Sequence, residues 1–156
     1  MSMVDITGKP EAYREATAKG HIRLRKETVR LIREGKVEKG DPLCAARLAA
    51  ILAAKKTSSL IPLCHPIPLT DVDVDVKVVD DASVEAQATV RTRAQTGVEM
   101  EALVAAAMAL LTVWDMTKKY EKDVEGQYPY TAIQSIRVIR KVKEESNERD
   151  SGKTQG

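Results

Sequence analysis

Between Ala102 and Trp114 the chain runs thirteen residues, "ALVAAAMALLTVW", without a single charge. Read as a helix, such a segment is apolar on every side and has to be covered on more than one. One face can lie on a sheet, and the other is expected to meet a second chain. Thr96 and Glu99 stand in the T-x-x-E relation just ahead of the run, and this spacing predicts a capping box that opens the helix. The run is shorter than the ~18 apolar residues of a membrane span. The N-terminal "MSMVDITGKP" has no basic-then-apolar signal pattern.

The rest of the chain supplies the cover. "TDVDVDVKVVD" alternates strictly, with Val72, Val74, Val76 and Val78 on one face. "SVEAQATVRTR" repeats the pattern with Val84, Ala86, Ala88 and Val90. The intervening "DDAS" makes the two a hairpin with one wet side. "GHIRLRK" reads as a strand and "KETVRLIREG" as a helix stopped by Gly35. "KGDPLCAARLAAILAAKK" is a second helix, with Asp41 at the N-cap and Pro42 at its first position. "SIRVIRKVKEE" is a last strand, and residues 145–156 form a polar tail expected to be disordered. The order is strand, two helices, two strands, helix, strand. It predicts one α+β domain over residues 1–144, a small antiparallel sheet with helices on one face.

Composition narrows the function. A net charge of +2 gives no basic surface for nucleic acid or membrane. Two cysteines, Cys44 and Cys64, make neither a disulfide framework nor a CxxC site, and a reducing cytoplasm is the default. In "LIPLCHPIPL" (60–69) prolines bracket Cys64 and His65, holding the backbone with fixed φ angles. A zinc site needs at least three protein ligands. The only other histidine is His21, so no metal is expected.

"KGDPL", "LIPLCHPIPL", "GVEMEAL" and "WDMTK" together resemble the MoaC family of molybdenum cofactor biosynthesis proteins, in order and in spacing, from Met3 to the last strand. The resemblance implies a ferredoxin-like α+β fold and a hexamer built from dimers, with sites at the dimer interface. It implies a lyase that turns a cyclised, reduced GTP derivative, supplied by an upstream radical SAM enzyme, into cyclic pyranopterin monophosphate. Pyrophosphate is released, and no metal or organic cofactor is implied.

The same resemblance carries roles onto residues. Catalytic roles fall on Lys39, His65, Asp115 and Lys118. Substrate contact falls on Leu63, Cys64, His65, Met100, Glu101, Glu99, Arg14 and Lys141. The residues themselves allow plainer readings. Lys39 and Arg14 read equally as exposed surface residues, and Glu99 as a capping residue only. Asp115 and Lys118, three apart, make a routine helical ion pair. At the end of an uncharged stretch, however, that carboxylate is expected to be partly desolvated and poised for acid–base work. At ~100° per residue, Met100, Glu101, Asp115 and Lys118 share one broad helical face, with Glu99 turned away.

Two departures from the family stand out. A Gly-rich segment often follows the last strand in family members, where this chain has "IRVIRKVKEESN", and "VEGQYPYT" is an insertion before that strand. Two other classes remain open on the residues alone. One is a ferredoxin-like RNA-binding module, against which stand the absence of Phe and an aromatic content of 3%. The other is a metal-dependent nucleotide hydrolase, which chelation would inactivate.

Overall fold

The computed structural model describes residues 1–145. The elements follow as β1 (Ala12–Arg23), α1 (Lys26–Arg33), α2 (Pro42–Lys55), α3 (Thr57–Leu60), β2 (Asp71–Asp80), β3 (Ser83–Ala94), α4 (Glu99–Glu121) and β4 (Ala132–Glu145). The four strands form one sheet in the order β2-β3-β1-β4, every neighbouring pair antiparallel. With helices crossing between β1 and β2 and between β3 and β4, this is the expected ferredoxin-like α+β arrangement.

The valine hairpin pairs as its alternation predicts. Val72 lies opposite Val90, Val74 opposite Ala88 and Val76 opposite Ala86. These residues share the inward face, while Asp71, Asp73 and Asp75 project from the other side. On β1 the same inward face carries Ala16, Ala18, Gly20 and Ile22. The sheet floor is therefore made mostly of alanine and glycine, and α4 sits close on it. A Cβ on Gly20 would stand 2.8 Å from Ile136 Cγ1 and 3.0 Å from Leu110 Cδ1. Glycine there leaves room for Leu110, which is fully buried. A leucine so buried contributes about 2 kcal/mol relative to exposure.

The other side of α4 is covered from within the chain. α2 packs alongside it, turning in Ala46, Ala50, Ala53 and Ala54. Within the chain the second cover of the uncharged helix is α2, and a further stripe of α4, with Met100 and Leu111, stays exposed. By length and composition α4 would suit a membrane span, a point the bare count of uncharged residues had missed. Of its most apolar window, 44% is buried inside the fold.

α2 starts as predicted. The Asp41 carboxylate accepts from the N–H groups of Leu43 and Cys44 at 2.9 and 3.2 Å, with Pro42 in the first turn. Other boundaries moved. β1 begins at Ala12, well before "GHIRLRK", because its inward residues there are small and include Arg14, which hides the alternation. β4 begins at Ala132 and absorbs its irregular start at Ser135, whose φ of 59° belongs to a bulge opposite β1. The short α3 was not foreseen. Glu145 closes β4 opposite Ala12, so the polar tail cannot begin there; the remainder of the expected tail lies outside the described residues.

One buried carboxylate ties three segments together. Glu121, at the end of α4, is fully buried. It accepts from Arg25 N–H at 3.1 and 3.2 Å, from the Thr28 hydroxyl, and from the Thr131 hydroxyl at 2.7 Å. It thereby caps α1, which has no cap from its own N-cap residue. Glu121→Ala leaves three buried donors unpaired, and each such group costs about 1–3 kcal/mol. The expected loss, with partial rescue by water, is about 2–4 kcal/mol in denaturant titration. A loss below about 1 kcal/mol would mean that these donors find other partners.

Candidate active site

The predicted site residues gather in two groups at opposite ends of α4. Near its C-terminal end, Asp115 stands between two lysines. Lys39 Nζ is 3.1 Å from Asp115 Oδ2 and donates also to the Asp115 carbonyl at 3.0 Å; Lys118 Nζ is 3.2 Å from Oδ1. The Lys118 contact follows from three-residue helical spacing. Lys39 comes from the loop between α1 and α2, so only the fold brings it there. Lys39, and then Lys118, hold the Asp115 carboxyl below its ordinary range by hydrogen bonding. The expected desolvation of Asp115 is not seen. Its side chain is 59% exposed, and charge pairing rather than burial sets its state.

Desolvation acts instead at the other end. Glu101 is 3% exposed, and its Oε2 has no hydrogen-bond partner. Burial first, and then the nearby Glu99 charge, push its carboxyl upward. Its Oε1 lies 3.9 Å from Cys64 Sγ, the thiol pointing at it from the proline-bracketed loop. The Cys64 thiol is likewise raised, by burial and then by Glu101. The two groups therefore hold a proton between them more readily than either would alone in water. Glu101 and Asp115, expected on one broad face of the helix, differ sharply in depth.

Glu99 does not form the predicted capping box. Val98 is the N-cap residue and no side chain caps α4. The Glu99 carboxylate instead pairs with Lys141 of β4 at 2.5 Å. Burial, the largest single influence, pushes it up, but the Lys141 hydrogen bond, a backbone hydrogen bond and the Lys141 and Arg14 charges together bring Glu99 below its ordinary value. A charged partner offers more than a neutral N–H, and β4 runs past the helix start, so the local signal lost. Lys141 thus joins the group despite the departing sequence around it.

Arg14 is 6% exposed, not the surface residue its neighbours in sequence suggest. Its Nε and Nη2 donate to the carbonyls of Ala94 and Gln95 at 3.2 and 3.3 Å. This fastens the loop that leads into α4, and the Arg14 charge helps to lower Glu99. His65 Nε2 donates to the Val4 carbonyl at 2.7 Å. Leu63 and Met100 are exposed, at 45% and 40%, beside the buried pair rather than within it. His21 pairs with Glu85 at 2.9 Å on the uncovered face of the sheet. Among the described residues no three His, Cys, Asp or Glu side chains cluster as a metal site would need.

Sequence reasoning missed the supports of both groups. The N-terminal segment lies against His65 through Val4, and Gln95 Nε2 donates to the Lys9 carbonyl at 2.9 Å. Near Lys39, the Glu38 N–H donates to the Tyr120 hydroxyl at 2.8 Å. Backbone carbonyls and N–H groups leave no residue-type signal, and only the glycine after Lys39 hinted at a shaped turn.

Comparison with known proteins is consistent across the chain. Residues 3–144 match the family model described as "MoaC family". A protein of Pyrococcus furiosus named "Probable cyclic pyranopterin monophosphate synthase" is 56% identical over 145 residues, 93% of this chain and 92% of the relative. One of Sulfurisphaera tokodaii with the same name is 57% identical, covering 90% of this chain and 93% of the relative. A third, from Methanothermobacter thermautotrophicus, is also 57% identical, covering 90% and 88%, and is named as an accessory protein of that synthase.

The raised Glu101 carboxyl makes a prediction about stability. A carboxyl whose folded value exceeds its unfolded one weakens the fold as pH rises above the unfolded value. Glu101→Gln keeps the shape without the charge, so it should stabilise the fold at pH 8 and lose that advantage near pH 4. Denaturation midpoints at the two pH values check this. An advantage independent of pH would mean that Glu101 is not held upward by burial.

Proposed function

The chain belongs to the MoaC family, and on that premise we propose that it acts as a cyclic pyranopterin monophosphate synthase in molybdenum cofactor biosynthesis. The substrate is 3',8-cyclo-7,8-dihydroguanosine 5'-triphosphate, supplied by a radical SAM enzyme, and the second product is pyrophosphate. The observation that carries the chemistry is Asp115 held between Lys39 and Lys118. An ionised carboxylate with two ammonium groups at about 3 Å can take a proton from one position and return it through a lysine to another. Opening the purine ring needs such exchange. So does closing the cyclic phosphate: a substrate hydroxyl attacks the α-phosphorus, gives up its proton, and pyrophosphate leaves. Lys39, Lys118 and His65 would meet the negative charge that grows on the departing group.

The second group suits the base of the nucleotide. Glu101, packed against Cys64 with Met100 exposed beside them, carries one unpartnered carboxylate oxygen, able to accept from a ring or exocyclic N–H. Glu99, Lys141 and Arg14 surround it with fixed charge.

The two groups belong, in this reading, to one pocket built from two chains. Glu101 and Asp115 are fourteen residues apart on one helix, about 21 Å along its axis at ~1.5 Å per residue. A reacting centre cannot touch both. A two-fold axis that sets this face of α4 antiparallel to its mate brings Glu101 of one chain to Asp115 and Lys118 of the other, twice per dimer. Exposed Leu48, Leu52 and Leu111 on the helix layer favour a second copy there. Three such dimers make the proposed hexamer, with residues 1–144 as the catalytic unit. A cytoplasmic setting, with Cys44 and Cys64 reduced, suits the substrate and completes the proposal.

Incubating the purified chain with the cyclised nucleotide tests this. Pyrophosphate and the pterin product should form without any other protein and should survive chelation. Asp115→Asn and Lys118→Ala should each lower turnover by about 10³-fold or more with the fold intact. Turnover that requires a second polypeptide would favour the accessory role that the Methanothermobacter name suggests. Near-normal rates in either variant would remove the acid–base assignment.

A further inference from the structure

Lys39 sits on a four-residue turn. Val37 is anchored in the core, and the Gly40 N–H donates to the Val37 carbonyl at 3.1 Å, closing the turn with Lys39 in its third place. Gly40 leaves the turn at φ 112°, a conformation that side chains resist. The remaining inner donor, Glu38 N–H, goes to the Tyr120 hydroxyl on α4 at 2.8 Å. The Tyr120 ring is half-buried against the core cluster, so that hydroxyl is a fixed point. The Glu38 carboxylate also pairs with Lys119, but both side chains are about two-thirds exposed, and such pairs constrain little. Of the contacts that join the turn to the helix carrying Asp115, the Glu38–Tyr120 hydrogen bond is the one whose acceptor is buttressed by the core.

We propose that Tyr120 is a positioning residue for the reaction: by accepting the Glu38 N–H, its hydroxyl sets the turn against α4 and places Lys39 Nζ on Asp115. The inference rests on the reading of Lys39 and Asp115 as reacting partners. Val37 and Gly40 would still form the turn without the hydroxyl, and water can satisfy the exposed Glu38 N–H. The fold then survives while the turn moves over the helix surface. Displacement by a fraction of an ångström matters for proton transfer far more than for stability. Neither Lys118, one turn along the same helix, nor exposed Lys119 can restore the Lys39 contact.

Tyr120→Phe keeps the ring and removes only the acceptor. We expect kcat to fall about tenfold with KM changed less than threefold. Exchange of the Glu38 amide should quicken in hydrogen-exchange mass spectrometry. Lys39 is the chief cause that holds Asp115 low, so the acid limb of the kcat pH profile should move to higher pH. A merely structural tyrosine would quicken that exchange but leave kcat and its pH profile unmoved at constant fold. Wild-type kcat and pH profile in Tyr120→Phe, beside an inactive Lys39→Ala, overturn the inference itself. Normal turnover in Lys39→Ala overturns it through its premise.

Discussion

Close packing of α4 on a floor of alanine and glycine is the contact from which the rest of this structure follows. Ala16, Ala18, Gly20, Ala86 and Ala88 keep the floor low, and Ala105, Ala106 and Ala109 lie on it from above. Leu110 reaches β1 only because Gly20 has no Cβ. Helix and sheet made this way have little freedom to slide, since small residues interlock at short range and tolerate no added methyl groups. α2 closes the other side with its own alanines, leaving α4 as a rigid rod whose two ends carry the candidate site residues.

Rigidity explains how the two ends shift their carboxylates in opposite directions. At the N-terminal end Glu101 is buried beside Cys64 and pushed toward its protonated form. At the C-terminal end Asp115 is exposed between two lysines and held ionised. Environment alone separates the two, burial acting on one and paired charge on the other. In the proposed function, their separation along the rod makes each chain the bearer of two half-sites. Exposed apolar residues on the helix layer are the natural place for a second copy to join them.

What could be read from the residues was what depends on local pattern. The valine alternation fixed the hairpin and its inward face. Asp41 and Pro42 fixed the start of α2, and the uncharged run identified the helix that needed two covers. Readings failed where a distant partner outbid a local one. Glu99 left its capping box for Lys141 on β4, and Arg14 was drawn inward by the carbonyls of Ala94 and Gln95. The packing of α2 on α4 was not legible, because alanine-rich faces carry too weak a pattern to announce their partner. Residue types in the motifs named Lys39, Cys64, Glu101 and Asp115 as site residues. That burial would act on Glu101 and not on Asp115 followed only from the packing.

The measurement that bears most directly on the two-chain site is subunit mixing. Glu101→Ala removes the group at one end of α4 and Lys118→Ala the group at the other, and each variant alone should be inactive. Mixed after subunit exchange has been verified, they should regain turnover, because a mixed dimer places one intact Glu101 opposite one intact Asp115–Lys118 pair. With random exchange about a quarter of all sites become whole, so recovery near that fraction of wild-type activity is the expected result. No recovery, with exchange demonstrated, would contradict the shared site and place both halves of the chemistry within a single chain.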